Sequence, residues 1–243
     1  MKKIVKIILI SILAIILTIG IYISASGYIF YKNTVKTANL EDKVKQIRQS
    51  ESFIPISEIP KDYINAVIAV EDHRFKEHGA IDVIAIGRAI SSDVKNKELV
   101  EGGSTITQQV VKNLYYMEDD TKNDSLDRKI SEILIGVQLE KKYSKDEILE
   151  LYANNIYFGD GYYCIKDAAE GYFGKLPSEM NLYECTLLAG IPNAPSVYSP
   201  NVNPELSKQR QAKVIRSMVK YGYLTQEKAD EIDLNEYYEN NDI

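Results

Sequence analysis

Tryptophan is absent from this chain of 243 residues, and histidine and cysteine occur twice each. The histidines, His73 and His78, fit neither HExxH nor HxxEH, because three residues separate His73 from Glu77, so no protein zinc site is expected. The cysteines, Cys164 and Cys185, leave two alternatives open. Outside the cytoplasm they permit one disulfide, and two buried free thiols fit as well. Positive charge is also short. With 29 Lys and Arg against 35 Asp and Glu, the net charge of -6 argues against a general nucleic-acid binder, so no nucleic-acid partner is expected and any anion site must be local. Repeats and low-complexity tracts are missing, and alternating β-branched runs are few. The expected class is therefore mainly α.

A long hydrophobic run is present. Met1-Lys2-Lys3-Ile4-Val5-Lys6 precedes an almost unbroken apolar stretch from Ile7 to Ile23, extended by Ala25, Tyr28, Ile29 and Phe30. It is long enough to span a bilayer, and the flanking lysines should stay cytoplasmic, placing the remaining chain outside the cell membrane. The rival, a cleaved signal peptide with Ser24-Ala25-Ser26 as its processing site, is disfavoured because the run exceeds a usual signal core. The expected organisation is residues 1–31 as cytoplasmic N-terminus and single transmembrane anchor, 32–56 as a polar juxtamembrane linker, 57–234 as the globular domain and 235–243 as a frayed acidic tail. Ser144 with Glu147 forms a capping-box pattern, and Thr225 after Gly222 opens a last helix.

Three stretches carry chemistry. In Asp62 to Glu71 the apolar positions Ile64, Val67 and Ile68 define a helical face whose next member is Glu71. A carboxylate there faces the core or a cleft, and burial should raise its pKa, as a general base or acid requires. The bland alternative is a helix end turning to solvent. In Glu101-Gly102-Gly103-Ser104-Thr105-Ile106-Thr107-Gln108-Gln109-Val110-Val111-Lys112-Asn113, two glycines and a Ser or Thr cap open a helix whose free N–H groups can hold an anion. Thr105, Gln109 and Lys112 share one face of it, while a capped, solvated helix remains the simpler alternative. In Arg128-Lys129-Ile130-Ser131-Glu132, spacing pairs Arg128 with Glu132. Taken alone, that pair is best read as an ordinary surface ion pair. A P-loop is excluded, because Gly-Lys-Ser/Thr is missing at the required spacing. Ser92-Asp93-Val94-Lys95 fits SxxK by chance, since no KTG follows and there is no room for a transpeptidase domain.

Together these blocks resemble the peptidoglycan glycosyltransferases of glycosyltransferase family 51, in particular the monofunctional, membrane-anchored kind. Glu71-Asp72-His73-Arg74-Phe75-Lys76-Glu77-His78-Gly79 is similar to the family's EDxxFxxHxG block, Gly103 to Asn113 to its GSTITQQ-x-x-KN block, and Arg128-Lys129-x-x-Glu132 to its third. Lys145 to Gly159, then Ala168 to Lys175 and Leu188 to Pro192, continue the likeness, which covers roughly residues 50 to 225. It implies a lysozyme-like, two-lobed helical domain, with residues 79 to 127 including a mobile small lobe. Tyr115, Tyr116 and Met117 there are candidates for contact with the membrane interface, or equally for the core.

The resemblance also implies a reaction. The family polymerises lipid II into β-1,4-linked glycan strands by inverting displacement of a polyprenyl diphosphate. Glu71 would be the base and Glu132 the second essential carboxylate. Ser104, Thr105, Gln109, Lys112 and Arg128 would bind the substrate, with Tyr157 lining the cleft. A divalent cation, Mg²⁺ or Mn²⁺, would be consistent with a diphosphate, and no organic cofactor is implied. Partners would be lipid II, the growing glycan strand, the membrane and cell-wall synthesis proteins. One departure is visible: many members carry Arg where this chain has Asp124, for which Lys122 or Arg128 could compensate. The rivals are a lysozyme-like hydrolase or lytic transglycosylase, and a non-catalytic wall-binding protein of the same fold.

Overall fold

The first helix, α1 (Lys2–Thr37), starts with the apolar run and outlasts it. In the computed structural model, which describes residues 2–88, 103–117 and 125–240, its large side chains from Ile4 to Ile21 are exposed, with no protein against them. The stretch Lys3–Thr37 is long and apolar enough to cross a membrane. The expectations resting on Ser92 to Lys95, Glu101, Gly102, Lys122, Asp124 and the last three residues lie outside the described residues.

The boundary expected at residue 31 is not a boundary in the fold. From Ser26 onward α1 packs along α5 (Leu126–Lys142). Gly27 permits the approach, since a Cβ there would sit 2.6 Å from Ile130 Cβ. Ser26 Oγ donates to Asp127 Oδ2 at 2.8 Å, and the Gln138 amide donates to the Tyr31 hydroxyl. Nor is the segment 32–56 a free linker. It contains α2 (Leu40–Arg48), capped by Asn39, with Leu40 and Val44 buried. Leu40 and Val44, four residues apart, give one narrow apolar face to a helix that is otherwise mostly charged, and that polar majority made the segment read as a linker.

What ties this segment down comes from α6 (Lys145–Ala153). Asn154 accepts the Ile54 N–H at 2.8 Å and returns its amide to the Ile54 carbonyl, while Glu150 accepts the Ile56 N–H at 3.0 Å. Arg48 bridges Glu147 at 2.9 Å and Glu150 at 3.2 Å. The capping box of Ser144 and Glu147 forms as expected. The Ser144 N–H first, and Arg48 next, hold the Glu147 carboxyl below its ordinary range. Because the folded value is depressed, the stabilisation is present above the ordinary carboxylate range and is lost as pH falls through the lowered value. Glu147→Gln should therefore cost about 0.5 kcal/mol near neutrality, a difference that shrinks at acid pH in melting curves. A difference constant from neutral to acid pH would remove the carboxylate as its cause.

The core that positions the site is a three-way packing of α3 (Lys61–Glu71), α8 (Leu182–Gly190) and α10 (Pro204–Lys220). Tyr63, Val67, Leu188, Val214 and Met218 are fully buried within it. Beside it α4 (Ile106–Tyr116) packs on α5 and α6. Further helices among the described residues include α7 (Ile165–Phe173), α9 (Pro195–Tyr198), α11 (Gln226–Asp230) and α12 (Glu236–Asn240). No strand occurs among the described residues, so the fold is mainly α.

Two expectations change at the C-terminal end. Thr225 caps α11, but α11 is not the last helix. The supposedly frayed tail buries Tyr237 and Tyr238, at 6% and 3% exposure. Tyr237 meets Tyr172 and Phe173 edge to face, its hydroxyl donates to Asn201, and Lys208 lies over Tyr238. The buried aromatic area outweighs the acidity that made the segment read as solvated. Cys164 and Cys185 are free and buried, and burial pushes the Cys164 thiol up to about 11.

Candidate active site

Glu71 ends α3, and its side chain is only 9% exposed. It is not the isolated buried carboxylate that the helical pattern suggests. One oxygen receives Arg210 Nη2 of α10 at 2.7 Å, and the other accepts from Gln109 Nε2 of α4 at 2.9 Å. Arg210 is itself 5% exposed, donates from Nε to the Gly190 carbonyl at 3.1 Å and lies over the Tyr198 ring. Gly190 gives the arginine its path, since a Cβ there would come within 3.1 Å of Arg210 Cγ. Glu71 is thus fixed by three separate helices.

The next residue closes the start of α4. Asp72 Oδ2 accepts the Ile106 N–H at 3.2 Å, and Oδ1 lies 2.7 Å from His78 Nε2. Burial pushes the Asp72 carboxyl up against the opposing pull of His78. Thr105 caps the helix by accepting the Gln108 N–H, and its hydroxyl donates to the Ala80 carbonyl at 3.0 Å. This corrects two expectations. The helix N-terminus already has a carboxylate and a hydroxyl of its own, so a substrate anion finds few free N–H groups there. Thr105, at 4% exposure and with its hydroxyl engaged, does not line the cleft.

Asp72, His78 and Asp82 bring ligand-type atoms within 4.8 Å of one another. They already satisfy each other and the backbone. Asp82 accepts the N–H groups of Ile84 and Ala85, at 2.9 and 3.0 Å, and pairs with Arg74. The cluster is therefore read as a clamp between the end of α3 and the start of α4.

From Glu71 a cavity of about 560 Å³ extends past Gln109 and Lys112 to Ser104, Arg128, Lys129 and Glu132. The pair predicted as a surface ion pair is buried. Glu132 is 2% and Arg128 7% exposed, with Arg128 Nε 3.2 Å from Glu132 Oε1. Lys129 Nζ lies 3.1 Å from Glu132 Oε2 and donates to Ser104 Oγ at 2.8 Å. Lys112 is exposed on the cleft wall, and none of the ion pairs among the described residues uses it. Tyr157 lies in an adjoining cavity of about 430 Å³ that shares Lys112 and Arg128 with the first.

The structure thus gathers Glu71, Ser104, Gln109, Lys112, Arg128 and Glu132 around one cavity, with Tyr157 beside it and Thr105 behind it. Sequence reasoning missed Arg210 and passed over Lys129. The signal for Arg210 was available. It stands four residues before Val214 and eight before Met218 on the buried face of α10, a charge on an apolar stripe of the kind that singled out Glu71.

A recessed carboxylate facing a wall of Lys112, Arg128 and Lys129 suits an enzyme that activates a hydroxyl beside an anionic group, and so a group-transfer enzyme. The chain belongs to the transglycosylase family, whose model matches residues 38–219, and is a glycosyltransferase. A Cupriavidus necator protein that bears a transglycosylase name is 41% identical over 189 residues, covering 78% of this chain and 80% of that protein. Penicillin-binding protein 1A of Aquifex aeolicus is 42% identical over 75% of this chain and 25% of its own length. For penicillin-binding protein 1F of Bacillus subtilis the figures are 44%, 72% and 24%. The chain spans about a quarter of the length of these two penicillin-binding proteins.

Proposed function

We propose that this protein polymerises lipid II into β-1,4-linked glycan strands, anchored by α1 with its lysine-flanked end in the cytoplasm and its catalytic domain outside. The observation that carries this is a single cleft with Glu71 at one end and the Lys112, Arg128 and Lys129 cations at the other. A neutral glycan would not need those cations, which speaks against a hydrolase. The lysines at the start of the chain favour the stated orientation.

Glu71 takes the proton from the acceptor sugar's 4-hydroxyl as that oxygen attacks the anomeric carbon of the donor. The bond to the diphosphate oxygen breaks on the opposite face, which inverts the configuration. Arg210 supplies the counter-charge that holds the carboxylate, and Gln109 sets its second oxygen. The departing diphosphate gathers charge opposite Lys112, with Arg128, Lys129 and Ser104 beside it. Glu132, bound by Arg128 and Lys129, places those cations rather than taking part in proton transfer.

A divalent cation fits this set of residues poorly. Mg²⁺ or Mn²⁺ needs oxygen ligands, whereas Glu71 and Glu132 both direct their oxygens at cations or amide N–H groups. No step is routed through a metal. Lipid II, the growing strand and the membrane are the partners of this activity, with cell-wall synthesis proteins as its setting.

Detergent-solubilised protein should convert lipid II to polymer. Fragments released from finished peptidoglycan, with no polymer from lipid II, would reverse the assignment to a hydrolase. Lys112→Ala should weaken binding of the phosphoglycolipid moenomycin by about tenfold to a hundredfold, the loss of one charge-assisted contact of ~1.5–3 kcal/mol. Unchanged binding in a titration would take Lys112 out of the anion site.

A further inference from the structure

The cleft continues beyond Asn113. A separate cavity of about 250 Å³ opens there between α2, the second half of α4 and the turn after α6, with Lys43, Gln46, Asn113, Tyr115, Asn155 and Tyr163 on its walls. Three of these residues carry a buried polar atom with no hydrogen-bond partner: the Asn113 and Asn155 amide nitrogens and the Tyr115 hydroxyl. A buried donor left unpaired costs ~1–3 kcal/mol, so three around one cavity point to an occupant that accepts hydrogen bonds. Lys43 adds an ammonium, and none of the described residues of the lining is acidic.

These features select among the parts of a lipid-linked disaccharide. A hydrocarbon tail would leave the three polar atoms unpaired. The diphosphate has its own cations at Lys112, Arg128 and Lys129 in the main cleft. The sugars offer hydroxyl and N-acetyl oxygens to the amides but no charge to the ammonium, whereas a chain rich in carbonyl groups and ending in a carboxylate matches neutral donors with one cation. Resting on the reading that lipid II is the substrate, we propose that this cavity is a subsite for the peptide stem of lipid II. Asn113 and Asn155 donate to its carbonyl or carboxylate oxygens, and Lys43 neutralises the carboxylate.

The test uses two lipid-linked substrates that differ only in whether the peptide is present. If the wild-type enzyme polymerises neither, the functional reading fails, independently of this subsite. Lys43→Met and Asn155→Ala, both checked by melting curves, should each raise KM about tenfold on the peptide-bearing substrate, with kcat retained. Neither should alter KM on the peptide-free one, for which wild-type KM should already be raised. An equal rise on both substrates would assign the cavity to the shared sugar, diphosphate or lipid and overturn the proposal. No change on either would leave the cavity to solvent alone and would overturn it too.

Discussion

Glu71→Gln is expected to reduce lipid II polymerisation by at least about a thousandfold, within the range a positioned general base contributes. Glutamine keeps the shape of the side chain and one hydrogen-bond-accepting oxygen, but it cannot take the acceptor proton. It also leaves the Arg210 guanidinium, 5% exposed, without its carboxylate partner. The variant should therefore retain its helical circular dichroism while melting several degrees lower, since uncovering a buried charge costs up to ~3–5 kcal/mol. Assayed well below that melting point, the two effects separate. Near wild-type polymer formation would eliminate Glu71 as the base.

Removing the partner instead of the base should also be severe, for a different reason. Arg210→Ala leaves the Glu71 carboxylate recessed without its cation and frees the Gly190 carbonyl, so a stability loss of ~3–5 kcal/mol is expected. Turnover should fall by about a hundredfold or more, because the carboxylate is no longer held between α3, α4 and α10. Arg210→Lys should recover part of the stability but less of the rate. An ammonium can reach Glu71, but it cannot place a second planar donor on Gly190. If Arg210 acts through Glu71, its effect on kcat should largely vanish in a Glu71→Gln background. Additive losses in that double-mutant cycle would give Arg210 a separate, purely structural role.

Much of this molecule follows from local rules. The apolar run dictates α1, since a backbone without water must bond to itself. The Ser144 and Glu147 box starts α6, and Thr225 starts α11. The carboxylate on the stripe of α3 was visible by spacing, as was the row of Gln109 and Lys112 on α4. The family blocks added the order of the site residues and the direction of the chemistry.

What sequence alone left undecided concerns partners that are distant in the chain. Spacing cannot tell a surface ion pair from the buried Arg128 and Glu132, because burial depends on what packs over α5. It also could not show that Asp72, 34 positions before Ile106, occupies the helix N-terminus reserved for substrate. The segment 32–56 read as linker because the side chains that hold it, Glu147, Glu150 and Asn154, lie about a hundred positions further along the chain. The sequence by itself determined the membrane-length anchor, the capped starts of α6 and α11, and which carboxylates and cations are available. Only the tertiary structure decided that Arg210, 139 residues away, holds Glu71. Helical periodicity is a local property, whereas the burial and pairing of a charge are set by every element that closes around it.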